Sequence, residues 1–177
     1  MLTAILACLT AVSFSIGAPT QAKTDFSGRW SSDPDPAAAP ARGTPGGGRG
    51  DIGSGWGSPI TITQDGTKLT VEYAFFGRGD MQPPLKFLYA LDGSETKNTV
   101  MMGRGMQVQT SRTSWDGAKL KITTLHMLAD PSTGKPMTAE VVQTLSLESP
   151  TSLLIETTRA GVLGAQATTT KTVYRKL

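Results

Sequence analysis

The sequence is poor in the side chains that carry most catalytic and metal chemistry. It holds one cysteine, Cys8, and one histidine, His126. A single cysteine cannot close an intrachain disulfide, and it cannot supply the multi-cysteine sets of structural zinc sites. A single histidine excludes metal sites that need two or three imidazoles. The chain also lacks a G-x-S-x-G nucleophile elbow. Asp33-Pro34-Asp35 is without the glycine and later glutamate of a calcium loop. Gly48, Gly50 and Gly53 match a dinucleotide-loop spacing, but no strand precedes them and no helix follows, so they carry no nucleotide. No cofactor and no metal are expected. Aromatic residues make up 6% and charged residues 18%. Asp and Glu are scattered, which assigns no carboxylate pair to glycoside hydrolysis. Outside the first residues, no apolar run approaches the ~20 residues a membrane-spanning helix needs.

What is present is unevenly distributed. Residues 1–22 contain no Lys, Arg, Asp or Glu, and Leu2–Ile16 is largely apolar. That length fits the core of a secretion signal, with small residues at Ala18–Ala22 for a peptidase. A signal peptide over 1–22, cleaved near Ala22, makes the protein secreted or periplasmic and removes Cys8. Residues 23–177 then form one domain. Ser31–Pro59 is dense in Gly and Pro and nearly free of large apolar side chains. It reads as a long flexible loop, because it buries too little to offset the entropy of ordering. Its Arg49-Gly50-Asp51 resembles an integrin-binding tripeptide by chance composition.

From Pro59 onward the apolar period is two. Ile60 and Ile62, then Leu69, Val71, Tyr73 and Phe75 alternate with polar or small residues; Leu85, Phe87, Tyr89 and Leu91 continue the pattern less cleanly, because Leu88 and Ala90 between them are apolar too. Further runs follow at 99–102, 106–114, 119–127, 139–147, 153–158 and 168–175. Short strands rich in Thr, Val, Ile and aromatics predict an all-β antiparallel protein. An up-and-down meander of about 8–10 strands closing into a barrel removes exposed edges; a sandwich of the same strands is the alternative.

Asp-Gly pairs at 65–66, 92–93 and 116–117 mark hairpin turns. A two-residue Asp65-Gly66 loop sets Ile62 opposite Leu69. A three-residue loop over Trp115-Asp116-Gly117 sets Thr110 opposite Ile122 and places Met106, Val108, Leu120 and Ile122 on one face. In this register His126 shares that face with Thr124, Thr110 and Arg112. If that face points inward it forms a polar spot in an apolar barrel, as small-ligand sites do; if outward, these are ordinary solvated residues. Tyr73, Phe75, Phe87 and Tyr89 either line a ligand cavity or fill a plain core.

The ends of the chain carry a family likeness. Gly28-Arg29-Trp30 on the first strand resembles the G-x-W signature that opens lipocalins and related calycin barrels. The combination Phe-Ser-Gly-x-Trp, Trp-Asp-Gly-x-Lys-Leu and terminal Val-Tyr-Arg-Lys is similar to a group of exported bacterial proteins of unassigned role. The resemblance implies a lipocalin-like barrel in which Gly28, Trp30 and Arg175 close one end, with Arg175 as the cation over the Trp30 ring. It also implies a small apolar or amphipathic ligand in the interior.

Net charge is +3 and the isoelectric point about 9.1. Arg42, Arg49, Arg78 and Arg104 each neighbour a glycine in expected loops. The charge is too modest and dispersed for nucleic-acid binding, and at most permits weak contact with an envelope surface. Three readings result: a ligand-binding barrel, a non-catalytic envelope interaction module with a filled core, and an enzyme using His126 with Arg112, with catalysis the least supported. Oligomeric state is not encoded in any feature of the chain.

Overall fold

The computed structural model describes residues 23–32, 56, 59–73, 85–102, 105–130, 133–161 and 166–177. The expected signal segment, most of the Gly/Pro loop, Phe75, and Arg42, Arg49, Arg78 and Arg104 lie outside these residues.

Ten strands follow one another in the chain: β1 (Gly28–Ser32), β2 (Ile60–Gln64), β3 (Lys68–Tyr73), β4 (Leu85–Ala90), β5 (Thr96–Met102), β6 (Gly105–Asp116), β7 (Lys119–Ala129), β8 (Pro136–Ser149), β9 (Ser152–Arg159) and β10 (Thr168–Lys176). All pair antiparallel in the order β4-β3-β2-β1-β10-β9-β8-β7-β6-β5, a meander in which β1 joins the two halves. The sheet curls into a nearly closed barrel, and no helix occurs among the described residues.

Alternation is the cause of the shape. On β2 and β3, Ile60, Ile62, Leu69 and Val71 are buried while Thr61 and Thr63 face out. On β8 and β9, Val141, Leu145, Leu153 and Ile155 are buried from the same periodicity. The sheet has one apolar face, and curling hides it.

The two free strands, β4 and β5, meet through side chains. Leu88 N–H donates to Asn98 Oδ1 at 2.7 Å, and Asn98 Nδ2 donates to the Leu88 carbonyl at 2.9 Å. Thr113 Oγ1 on β6 donates to the Ala90 carbonyl. The carboxamide of Asn98 stands in for a strand residue, since a primary amide offers the donor and acceptor that a backbone offers.

One end is covered by residues 23–27, which cross beneath the barrel before β1 starts; the expected first strand over Asp25–Trp30 is realised later, at Gly28–Ser32. Gln64 ties this segment down. It accepts from Phe26 N–H at 3.1 Å, donates to the Thr24 carbonyl at 2.8 Å, and its own N–H donates to Ser27 Oγ. Phe26 is thereby fully buried and stacks on Trp115, with ring centroids 6.1 Å apart. Trp30 packs in the same cluster and donates its indole N–H to the Phe26 carbonyl at 3.0 Å. The cation over the Trp30 ring is Lys176, whose Nζ lies 5.4 Å from the centroid. The family likeness implied Arg175 for that place, but Arg175 pairs with Ser31 and is exposed, while Lys176 pairs with Trp30 and shares its face.

Two turns differ from expectation. In β2–β3 the partners are Ile62 with Val71 and Gln64 with Leu69, so the loop is two residues longer than Asp65-Gly66. The apolar faces are unchanged, because a shift of two preserves the side of the sheet. Asp65 Oδ1 accepts from the N–H groups of Thr67 and Lys68, and this side-chain cap replaces the positive φ expected at Gly66. In β6–β7 the loop is one residue shorter than expected and the register moves by three, with large consequences. Asp116 pairs with Lys119 and Trp115 with Leu120, leaving Gly117-Ala118 as the loop, with Gly117 at φ 57°. A primed two-residue turn demands such a φ at its first central position.

Candidate functional site

Ile122 faces Thr113 instead of Thr110, a slip of three residues, and a slip by any odd number exchanges the faces of a strand. On β6 the inward side chains are therefore Gln107, Gln109, Ser111, Thr113 and Trp115. The expected set of Thr110 and Arg112 with Thr124 and His126 is split. Thr124 and His126 are buried inside, opposite Ser111 and Gln109. Thr110 and Arg112 pair with Leu125 and Thr123 on the outer face. Arg112 donates to Glu95 at 3.1 Å in the solvent. An enzyme site built from His126 and Arg112 in one cleft is not formed, because the barrel wall separates them.

Of the aromatic candidates, Tyr89 is buried, and Tyr73 and Phe87 are half-buried at the border of the same core. Trp56, from the Gly/Pro-rich segment, fills the space beside them. Its ring centroid lies 6.0 Å from that of Tyr89, its indole N–H donates to Tyr89 Oη at 3.3 Å, and Tyr174 Oη donates to its carbonyl at 2.9 Å. Burial raises both tyrosine pKa values, that of Tyr174 to about 12. Tyr89 and Tyr174 therefore act as neutral hydrogen-bonding core residues. Trp56 was hidden in sequence by its surroundings; its signal was that of one large aromatic in an otherwise featureless loop.

The inner wall of β6–β9 changes character in four steps along the strands. Trp115, Leu120, Leu145 and Ile155 form the first row across the sheet. Thr113, Ile122, Gln143 and Thr157 form the second. Ser111, Thr124, Val141 and Arg159 form the third, where Ser111 and Thr124 exchange a 2.9 Å hydroxyl bond. Gln109, His126 and Ala139 form the fourth. The interior is thus apolar near the Trp30 end and polar towards His126. Seven of these buried positions are polar: Gln109, Ser111, Thr113, Thr124, His126, Gln143 and Thr157.

Not all of these groups are satisfied. Both ring nitrogens of His126, Nε2 of Gln143 and Oε1 of Gln107 are buried without a hydrogen-bond partner. Buried polar groups normally have one, since leaving a neutral group unpaired costs about 1–3 kcal/mol. Burial alone pushes the His126 pKa below its ordinary 6.5, so the imidazole is neutral at pH 7. A neutral imidazole presents one donor and one acceptor. Among the described residues no cluster of His, Cys, Asp and Glu could hold a metal ion.

Sequence reasoning missed Gln107, Gln109, Ser111 and Gln143. Their signal was present: Gln107, Gln109, Ser111 and Thr113 alternate as a polar series on β6, but Met106 and Val108 between them are apolar and suggested the opposite face. Neither a protein-family model nor a curated protein sequence matches the chain.

Proposed function

We propose that the protein is an exported, lipocalin-like barrel that holds a small apolar or amphipathic molecule in its interior. One observation carries this reading: the inner wall runs from a packed apolar end to a buried polar end where both His126 ring nitrogens, Gln107 Oε1 and Gln143 Nε2 lack partners. Ligand cavities combine apolar lining with a few placed polar groups in this way. The G-x-W start and the buried Trp30 support the lipocalin-like part, and the apolar first 22 residues support export.

The test is binding of the neutral fluorescent probe 1-aminoanthracene, with two variants. Ala139→Phe adds bulk on the inner wall opposite His126 and abolishes binding. Met127→Ser, on the outer face, leaves it unchanged. A probe that binds both variants equally is not in the interior.

A second reading is favoured by a different observation. Met106, Val108, Leu125 and Met127 are exposed on the outer faces of neighbouring strands β6 and β7, Met106 and Met127 by 61% and 60%. Contiguous exposed apolar groups mark interaction surfaces. On this reading the barrel is an envelope interaction module, and Met127→Ser lowers co-sedimentation with anionic lipid vesicles while the probe titration is unaffected.

A further inference from the structure

The surroundings of His126 select a particular head group. The residue is 1% exposed, on the inner face of β7, and neither of its ring nitrogens has a partner. Ala139 faces it from β8, so no large side chain stands at that register position. Gln109 faces it from β6, and Gln107 is the next inward residue of that strand. A diagonal neighbour in an antiparallel pair lies about 7–8 Å away at the backbone, within reach of long side chains. Gln107 also carries a buried oxygen with no donor.

We propose that His126 and Gln107 form a head-group subsite, and that the ligand presents an uncharged group that both donates and accepts a hydrogen bond, a hydroxyl in the simplest case. This rests on the interior-binding reading above. A hydroxyl donates once and accepts twice. It can donate to Gln107 Oε1 while accepting from the imidazole N–H, or donate to the imidazole and accept elsewhere. A carboxylate accepts only and would face the Gln107 oxygen. An ammonium donates only and would leave the imidazole N–H unmet. Either ion would also lose its hydration beside an imidazole that burial keeps neutral. The one described cation on this inner wall, Arg159, stands in the register of Val141, and its Nη1 donates across to Thr170 on β10 at 3.3 Å. That contact directs the guanidinium away from β7. The apolar rows of Leu120, Leu145 and Ile155 would receive the hydrocarbon part of the same molecule.

The experiment is calorimetric titration of the full chain with 1-decanol, decanoate and decylammonium near neutral pH. The shared tail cancels, so the head group decides. Decanol binds about tenfold more tightly than either ion, the equivalent of about one good hydrogen bond. His126→Phe and Gln107→Leu each remove that preference and bring the three affinities within about threefold, while a bound tail is retained. The 15N signals of the His126 ring in the unaltered protein shift on adding decanol, which keeps the test open if either variant fails to fold. If none of the three compounds binds, interior binding itself fails. Equal binding of all three, unchanged in both variants, leaves interior binding standing and overturns the subsite. Ring signals unmoved by bound decanol overturn it as well, as they would if only internal water met the imidazole.

Discussion

Asn98 holds Leu88 by both of its backbone groups, accepting from the N–H at 2.7 Å and donating to the carbonyl at 2.9 Å. No ladder joins β4 to β5, so this single side chain is the main polar link across the seam that closes the barrel. Asn98→Leu keeps the approximate size and removes both bonds, leaving two backbone groups of a part-buried strand unpaired. The expected cost is about 1–3 kcal/mol in urea unfolding, with faster hydrogen exchange at the Leu88 amide. Unchanged exchange there would show that the seam is closed by something else.

The closed end depends on Trp30 far more than on its cation. Trp30→Ala removes the largest fully buried side chain and the bond to the Phe26 carbonyl, and should cost about 3–5 kcal/mol. Lys176→Gln removes a cation–π contact and a charge that acts on Asp25, both at an exposed position, and should cost under about 1 kcal/mol. The comparison of unfolding midpoints checks both; equal losses would contradict the assignment of roles.

Two turn glycines should respond differently to the same change. Gly66 has open space around a built Cβ and no positive φ, so Gly66→Ala leaves the midpoint nearly unaltered. Gly93 has φ +84°, and a Cβ there would stand 3.3 Å from the Thr113 carbonyl oxygen. Gly93→Ala should lower stability by about 1–2 kcal/mol through backbone strain alone. Asp65→Ala, which deletes the cap on Thr67 and Lys68, should hurt the first hairpin more than any change at Gly66.

Acid should destabilise the barrel in two separate windows. The folded state disfavours protonated His126, so its pKa lies below 6.5 when folded and near 6.5 when unfolded. Stability from this source is complete above pH 6.5. It declines as pH falls from 6.5 towards the lower folded value, because the unfolded chain binds the proton first. Asp25, Asp65 and Asp92 are held below 3.8 by hydrogen bonds, those of Ser27, Thr67 and Ser94 leading. Their contribution is present above 3.8 and is lost as pH falls through the folded values. Urea midpoints followed across pH should show both steps, and His126→Phe should erase the upper one alone.

Strand number, antiparallel order and the single sheet were legible from the period of two, because alternation is a property of every strand independently. Register was not, because it depends on how each turn is built. At β2–β3 the misjudged turn was harmless, since Asp65 lengthened the loop by two and Ile62 stayed inside. At β6–β7 Gly117 shortened the loop by one and moved the register by three, which placed Gln109 rather than Met106 opposite His126 and turned Thr110 and Arg112 outward. That Thr124 and His126 share a face was legible, because β7 keeps its own alternation regardless of partner; that this face points inward was not, because the turn decides it. The roles of Trp56 and Asn98 were not, because each is joined through one side chain to a strand it does not pair with, Trp56 to Tyr174 and Asn98 to Leu88.

The central claim, that the interior carries a small molecule, is tested most directly by native mass spectrometry of the protein purified from its own host. The account predicts a complex heavier than the bare chain by one discrete small-molecule mass, released into organic solvent and absent from Ala139→Phe. A bare chain mass for the native protein, together with no uptake of 1-aminoanthracene, would contradict it.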